Sequence, residues 1–460
     1  PSLPLGLRPR TFFPHPGVRA SMEYPEPVAK LLRQAGAELG DEVEVRATDG
    51  RVWKGLVMEH HAFSGEGVLT LKLGSGYNVG VAVEGASIAL ARKVPARQKA
   101  PRAPHASNAL PKVSILATGG TIASYVDYRT GAVHPVTSPE ELAGAVPELA
   151  KTASLRTRIV FSMFSEDLQP EHWQRIAREV KAEFDAGAHG VVVTHGTDTM
   201  QFTAAALAFF LRDLPGPVVL VGAQRSSDRP SSDASMNLHA AVAVAAQTDL
   251  GEVVVVMHGA TDDDHCLVHR GTRVRKMHTS RRDAFESINA LPLGRVDFEG
   301  NAPKVSLPEP HRKATPGGVK VDDAMNERVA MIQSYPGLWP EHIESVVLDG
   351  VVLVGTGLGH VAKRTFPALE KLRREGKFVV MASQCLHGRV NMNVYATGRD
   401  LQRLGAIPCE DMLPEVAYVK AMWVLAHAKT REEAERLFLT PLAGEIEPRS
   451  DVNEFGGDAP

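Results

Sequence analysis

The chain has 460 residues, 43% hydrophobic and 23% charged, with 51 Lys and Arg against 54 Asp and Glu for a net charge of −3. At roughly 100–200 residues per domain this is chain enough for about three folding units, and the composition excludes a disordered or fibrous protein. The near-neutral balance gives no whole-chain attraction to nucleic acid or membrane, and no apolar run approaches the roughly 18–20 residues of a spanning helix.

Residues 1–22 are rich in proline and arginine, lack apolar periodicity and lack the apolar stretch of a signal peptide, which predicts a flexible N-terminal extension. Met22 begins more ordinary sequence, so what precedes it reads as an extension or a mis-assigned start. Residues 25–36 predict a short helix. Then come Val43 and Val45 alternating with charges, the turn Asp49-Gly50, Val52 to Met58, Val68 to Leu73, the turn Gly74-Ser75-Gly76, Tyr77 to Val83, and Ser87 to Leu90. Five short strands joined by tight turns predict a small all-β barrel of SH3 or Sm type within residues 23–92. Residues 93–112 are basic and proline-bearing, with Lys93, Arg97, Lys99, Arg102 and Lys112 and no acid, and predict a solvated linker.

After Lys112 the pattern changes to strand and helix in alternation. Val113 to Ala117 predicts a buried strand, and Pro170 opens a helix over 170–186 with Trp173, Ile176, Ala177, Val180 and Phe184 on one face. Strands follow at Gly190 to Thr194, Val218 to Gly222 and Val253 to Met257, with helices after Thr199 and over 233–248. Residues 300–326 are polar and proline-bearing, and beyond them Val329 to Ile332, Gly350 to Gly355 and Phe378 to Ala382 resume the alternation. The expectation is an α/β protein with a doubly wound parallel sheet covered on both faces. Its units are a catalytic domain over 113–305, a linker over 306–326, a smaller domain over 327–442 and a tail or strap over 443–460.

In such sheets ligands bind where strands end and helices begin. Four segments sit at those ends: Thr118-Gly119-Gly120-Thr121, Ser165-Glu166-Asp167, Thr194-His195-Gly196-Thr197-Asp198-Thr199 and Arg275-Lys276-Met277-His278. Taken singly, each has an ordinary explanation as a tight turn, a helix cap or a solvated charge. No G-x-x-x-x-G-K-[ST] loop occurs, so self-contained ATP chemistry is unsupported. Asp262-Asp263-Asp264-His265 reads as a solvated turn, because adjacent residues on one loop rarely converge on one ion. Gly222 to Ser226 with Asp228 and Asp233 can shape a pocket or an interface. Gly355-Thr356-Gly357-Leu358-Gly359-His360 begins like a nucleotide loop, but His360 stands where a final glycine is required. The cysteines, Cys266, Cys385 and Cys409, are odd in number and widely spaced, which argues against a disulfide framework or zinc cluster and fits a reducing cytoplasm.

Together, TGGTIAS at 118–124 and HGTDT at 195–199 resemble the two signature segments of the bacterial-type L-asparaginase family, in the same order and over roughly 113–440. The resemblance implies Thr121 as nucleophile, with Thr197, Asp198 and Lys276 as a triad, and Ser165 and Glu166 holding the amino-acid end of the substrate. The chemistry is coherent. A threonine hydroxyl needs a base within hydrogen-bond reach, and a desolvated lysine can serve directly or through Thr197. Backbone N–H groups of the glycine-rich turn can stabilise an oxyanion, each worth roughly 3–4 kcal/mol. The family also places a tyrosine on a loop after the first motif. Tyr125 and Tyr128 are both near, neither in the expected frame, and Tyr128 is the candidate.

A free-standing asparaginase has no need of the first 112 residues. The barrel, the linker and the acidic Glu166 after Ser165 make the whole chain resemble the GatD family of archaeal Glu-tRNA(Gln) amidotransferases, asparaginase family type 1. That resemblance implies a cytoplasmic glutaminase with no cofactor of its own and no membrane contact. A partner, GatE, binds Glu-tRNA(Gln) and activates it with ATP and Mg2+, then receives ammonia to form Gln-tRNA(Gln). The implied assembly is a homodimer core within a heterotetramer of two GatD and two GatE polypeptides. Two alternatives stand beside it: a free-standing asparaginase or glutaminase with an accessory barrel, and a doubly wound binding protein whose hydroxyl motifs are only structural.

Overall fold

The computed structural model describes residues 24–58, 60, 65–73, 78–93, 110–119, 124–127, 132–135, 148–225, 232–299, 302–345 and 348–450. The predicted extension over 1–22, most of the linker over 93–112, Thr121, Tyr128 and the last ten residues of the tail lie outside the described residues. The chain divides into two compact units, residues 1–98 with 127–132 and residues 99–126 with 133–460.

In the first unit the helix Glu26–Ala35 ends at Gly36, whose φ of 64° is the left-handed conformation that glycine reaches without a Cβ penalty. Its Val28 and Leu32 pack with Val43, Val45, Val57, Leu69, Leu71, Val81 and Val83 in one small core. The five predicted strands are all present and antiparallel, in the order Asn78–Ala82, Val68–Leu73, Val52–Val57, Glu42–Arg46, Ser87–Arg92. Among the described residues the two outer strands are not hydrogen-bonded to each other, so helix and sheet together enclose the core.

The second unit is built on an eight-stranded sheet. Five of its strands are parallel and stand in the order Ser154–Ile159, Lys112–Ala117, Gly190–Thr194, Val218–Val221, Val253–His258. The last three are buried along their whole length, which is why they read as unbroken valine runs rather than as alternation. The helix Pro170–Asp185 presents its predicted apolar face to one side of the sheet, and the nearly all-apolar Ala234–Gln247 is buried on the other. Counting along the chain, the parallel strands stand 2-1-3-4-5, so the winding reverses between Lys112–Ala117 and Gly190–Thr194.

Three antiparallel strands, His265–Arg270, Gly294–Glu299 and Ala302–Ser306, extend this sheet beyond the expected parallel core. Ala302–Ser306 lies within the stretch read as polar and proline-bearing. It is an edge strand with a single neighbour, where Pro303 deprives no second neighbour of a hydrogen bond. At the opposite edge Ser154–Ile159 carries Arg156 and Arg158, which pair with Glu183 and Glu179 of the covering helix.

A second sheet, Val329–Gln333, Gly350–Gly355, Phe378–Ser383 and Ala406–Pro408, is wholly parallel. The helix Pro414–His427 joins the two layers by packing on Met200–Phe210, with Trp423 stacked on Phe209 and Tyr418 edge-on to Phe202. No helix among the described residues is long and apolar enough to cross a membrane.

The predicted tail or strap is, as far as Ser450, a strap. Glu445 is fully buried, accepts from the backbone N–H groups of Leu442 and Ala443, and pairs with the equally buried Lys420 at 2.5 Å. Burial pushes the Glu445 carboxyl up, but the Lys420 ammonium and the Ala443 N–H outweigh it and leave it below the usual carboxylate range. At Lys420 burial wins, and its pKa is lowered despite Glu445. Removing one partner of such a pair leaves an uncompensated buried charge. Lys420→Met is therefore expected to cost about 3–5 kcal/mol and to open the strap to proteolysis, read by denaturant unfolding and limited digestion of the full chain.

Candidate active site

The strands on either side of the winding reversal end in step, with Ala117 opposite Thr194. Thr118 fixes the exit of the first: its backbone N–H and its Oγ1 both donate to Thr194 O, at 3.2 and 2.8 Å. Gly119 follows with φ 108°, and a Cβ there would lie 2.3 Å from Met163 O. Within the first motif residues 120–123 lie outside the described residues, so Thr121, the implied nucleophile, has no described placement, and neither does Tyr128.

The second and third segments come together. A Cβ on Gly196 would lie 2.7 Å from Ser165 Cβ, and Thr199 Oγ1 donates to Ser165 O at 2.7 Å. Ser165 is buried on the short 3-10 turn Ser165–Asp167, whereas Glu166 beside it is exposed. No hydrogen bond or ion pair links Glu166 to Thr197, Asp198 or Lys276 among the described residues, so of the two substrate-holding candidates only Ser165 is hydrogen-bonded to the 195–199 segment there.

The fourth segment closes on the same point. Lys276 ends the strand Val274–Lys276, which pairs with Phe285–Ser287 in a two-stranded ribbon separate from both main sheets. Its Nζ donates to Thr197 Oγ1 at 2.9 Å and to Asp198 Oδ1 at 2.8 Å. The Lys276 side chain is 9% exposed and that of Asp198 68%, so an almost buried ammonium meets a carboxylate at the mouth of the site. Thr197, Asp198 and Lys276 thus form one hydrogen-bonded cluster.

Several residues support this cluster. Buried His195 contacts Gly196 O through Nδ1 at 2.6 Å and Thr203 Oγ1 through Nε2 at 2.9 Å. Burial lowers its pKa to about 4, so it is neutral near pH 7. Gly222 lies under the cluster, since a Cβ there would be 2.7 Å from Thr197 Cγ2. The Asp233 carboxylate accepts from the backbone N–H groups of Gln224 and Arg225 at 2.9 and 3.0 Å, and Asn237 donates to Gly222 O at 3.0 Å. Gly222 thus stands beside Thr197, while Ser226 and Asp228 lie outside the described residues.

The remaining motifs have structural explanations. Asp263 pairs with Arg282 at 2.5 Å and with His258 at 3.3 Å, and no group of three His, Cys, Asp or Glu among the described residues can hold a metal ion. Thr356 and His360 close a tight turn on each other. Cys266 and Cys409 are buried small hydrophobes whose thiols burial raises, and Cys385 is exposed.

The families that match are described as "Asparaginase, N-terminal" over residues 112–309, "Glutaminase/Asparaginase C-terminal domain" over 328–438 and "GatD N-terminal domain" over 37–91. Among solved structures, the thermostable L-asparaginase from Thermococcus kodakarensis is similar at a TM-score of 0.65 and 33% identity, covering 74% of this chain and 100% of its own. L-asparaginase I from Vibrio cholerae matches at 0.64 and 30% over the same shares. The GatD subunit of the glutamyl-tRNA(Gln) amidotransferase from Pyrococcus furiosus is 50% identical over 440 residues, 93% of this chain and 99% of that protein. Its counterpart from Thermococcus kodakarensis is 49% identical over 441 residues, again 93% and 99%. Solved asparaginases thus match about three quarters of the chain and the GatD proteins nearly all of it, and the chain belongs to the GatD family of glutamyl-tRNA(Gln) amidotransferase subunits, built on an asparaginase fold.

Proposed function

We propose that the chain is the glutamine-hydrolysing subunit of a tRNA-dependent amidotransferase. The observation that carries this is the extent of the likeness to the GatD proteins, which runs through the N-terminal unit at 93% of the chain, whereas the asparaginases stop at 74%. Thr121 attacks the glutamine carboxamide carbon, and its proton is relayed through the Thr197–Lys276 pair to the departing amide nitrogen. Ammonia leaves, and water hydrolyses the acyl-threonine ester to glutamate. Asp198 at the mouth supplies negative charge for the α-ammonium of the substrate and holds the lysine; Ser165 and Glu166 bind the amino-acid end. Tyr128 is the proposed loop residue that polarises the nucleophile.

In this reading the chain needs no cofactor. A GatE partner binds Glu-tRNA(Gln), uses ATP and Mg2+ to activate the glutamyl carboxylate, and accepts the ammonia. The working assembly is a cytoplasmic heterotetramer in which two GatE polypeptides flank a GatD homodimer. A free-standing asparaginase would leave the first unit without a purpose.

Thr121→Ala is expected to abolish glutamine hydrolysis by the purified complex, while Lys276→Met and Asp198→Asn each lower kcat by roughly 10²–10⁴. Steady-state ammonia release checks this, and full turnover in Thr121→Ala would remove the nucleophile. Wild-type glutaminase activity is expected to rise when partner and charged tRNA are added; high asparagine turnover by the isolated chain would overturn the proposed function.

His195 and His269 both have a folded-state pKa near 4 because of burial, against an ordinary value of 6.5. The unfolded chain therefore binds more protons than the folded one between those values, and stability present above 6.5 is lost as pH falls toward 4. Each group supplies a slope of up to roughly 1.4 kcal/mol per pH unit. Thermal melting across this range should show the loss, with a shallower fall in His269→Gln.

A further inference from the structure

Lys276 sits at the end of a three-residue strand in a ribbon that joins neither main sheet. So short a ribbon cannot by itself hold an ammonium against two partners, and something outside it must fix its position. Two residues just before the lysine make such contacts. Arg273 is 1% exposed, and its guanidinium donates to Gly444 O at 2.8 Å and Asp411 O at 3.2 Å and pairs with Asp411 Oδ2 at 3.0 Å. Arg275 pairs with Glu415, whose side chain is 6% exposed, at 2.5 Å. Beside them Thr272 Oγ1 donates to Ala443 O at 2.9 Å.

The other strand of the ribbon is fastened to the same place. Ile288 N donates to Arg273 O at 2.7 Å, and Asn289, held at a positive φ of 53°, donates to Asp411 O and Gly388 O at 3.0 Å each. The preceding Glu410 is likewise at a positive φ, 56°. Two non-glycine residues in the left-handed region at one junction mark a geometry that its surroundings impose. Both strands of the ribbon therefore rest on residues 410–415, which link the last strand of the second sheet to the first turn of the helix Pro414–His427 and include that turn's Glu415.

We propose that Arg273 and Arg275, through Asp411 and Glu415, are positioning residues for Lys276, so that the second-sheet lobe sets where the ammonium stands between Thr197 and Asp198. The Arg273–Asp411 pair is buried and the Arg275–Glu415 pair partly so; such pairs contribute little net stability, since desolvation opposes attraction, and what they supply beside one lysine is a fixed register. The proposal rests on the reading of Lys276 as part of the glutaminase site and goes beyond it in naming what places that lysine. Removing Asp411 would strand a buried guanidinium and endanger folding, so the less enclosed pair carries the test.

In the full complex with the tRNA-binding partner and glutamine, Arg275→Met and Glu415→Gln are expected to lower kcat at least tenfold with KM for glutamine within twofold. They should also displace a limb of the pH profile of kcat/KM by half a unit or more, and Arg275→Lys should recover most of the loss. A fraction of misfolded enzyme scales that profile without displacing it, which separates positioning from damage. A parent complex that turns over glutamine while both variants stay within twofold of it, or show a scaled but undisplaced profile, overturns the clamp alone. A parent complex without glutamine turnover overturns the underlying function, and the clamp with it.

Discussion

The Lys276 ammonium stands between Thr197 Oγ1 and Asp198 Oδ1, and these groups come from segments that share no secondary-structure element. An ammonium that is nine-tenths covered needs compensating partners, because removing it from water otherwise costs more than packing returns. The hydroxyl and the carboxylate are those partners, and the winding of the main sheet is what makes them available. Its reversal between Lys112–Ala117 and Gly190–Thr194 leaves a crevice at the strand ends, and Thr197 and Asp198 emerge into it directly after the second of these strands.

Three glycines show how little space that crevice leaves. A Cβ at Gly119 would strike Met163 O, one at Gly196 would strike Ser165, and one at Gly222 would strike Thr197, each within 3 Å. Only Gly119 also needs its glycine for conformation, with φ 108°; Gly196 and Gly222 need it for proximity. The backbone at these positions therefore lies closer to Met163, Ser165 and Thr197 than any side chain would allow.

Sequence alone revealed the parts whose signals are local. Valine runs marked strands buried on both faces, Pro170 and its apolar face marked a helix, and five short strands marked the small N-terminal sheet. The cluster of Thr197, Asp198 and Lys276 was legible only because two motifs stood in a recognisable order; each segment alone looked like a cap or a turn. The two edge strands of the main sheet escaped. Ser154–Ile159 and Ala302–Ser306 each have a single neighbour, so they tolerate arginine and proline and lose the apolar signature of a strand. Partners far apart in sequence escaped as well. Nothing local to Arg273 points to Asp411, 138 residues on.

The strap at the C-terminal end binds these observations together. Glu445 anchors it to Lys420 in the core, while one residue earlier Gly444 O accepts from Arg273, and Ala443 O accepts from Thr272. Glu447 N reaches the Asp411 carboxylate from the other side of the anchor. A segment of five residues is thus tied at its centre by one buried charge pair and at both flanks to a second. Neither pair is an efficient source of stability, because each begins by dehydrating two ions. Their value lies in direction: an ion pair with its remaining hydrogen bonds satisfied permits far fewer arrangements than an apolar contact of the same size. Strap, ribbon and lysine are held in one register by contacts that are costly to form and difficult to satisfy in any other way.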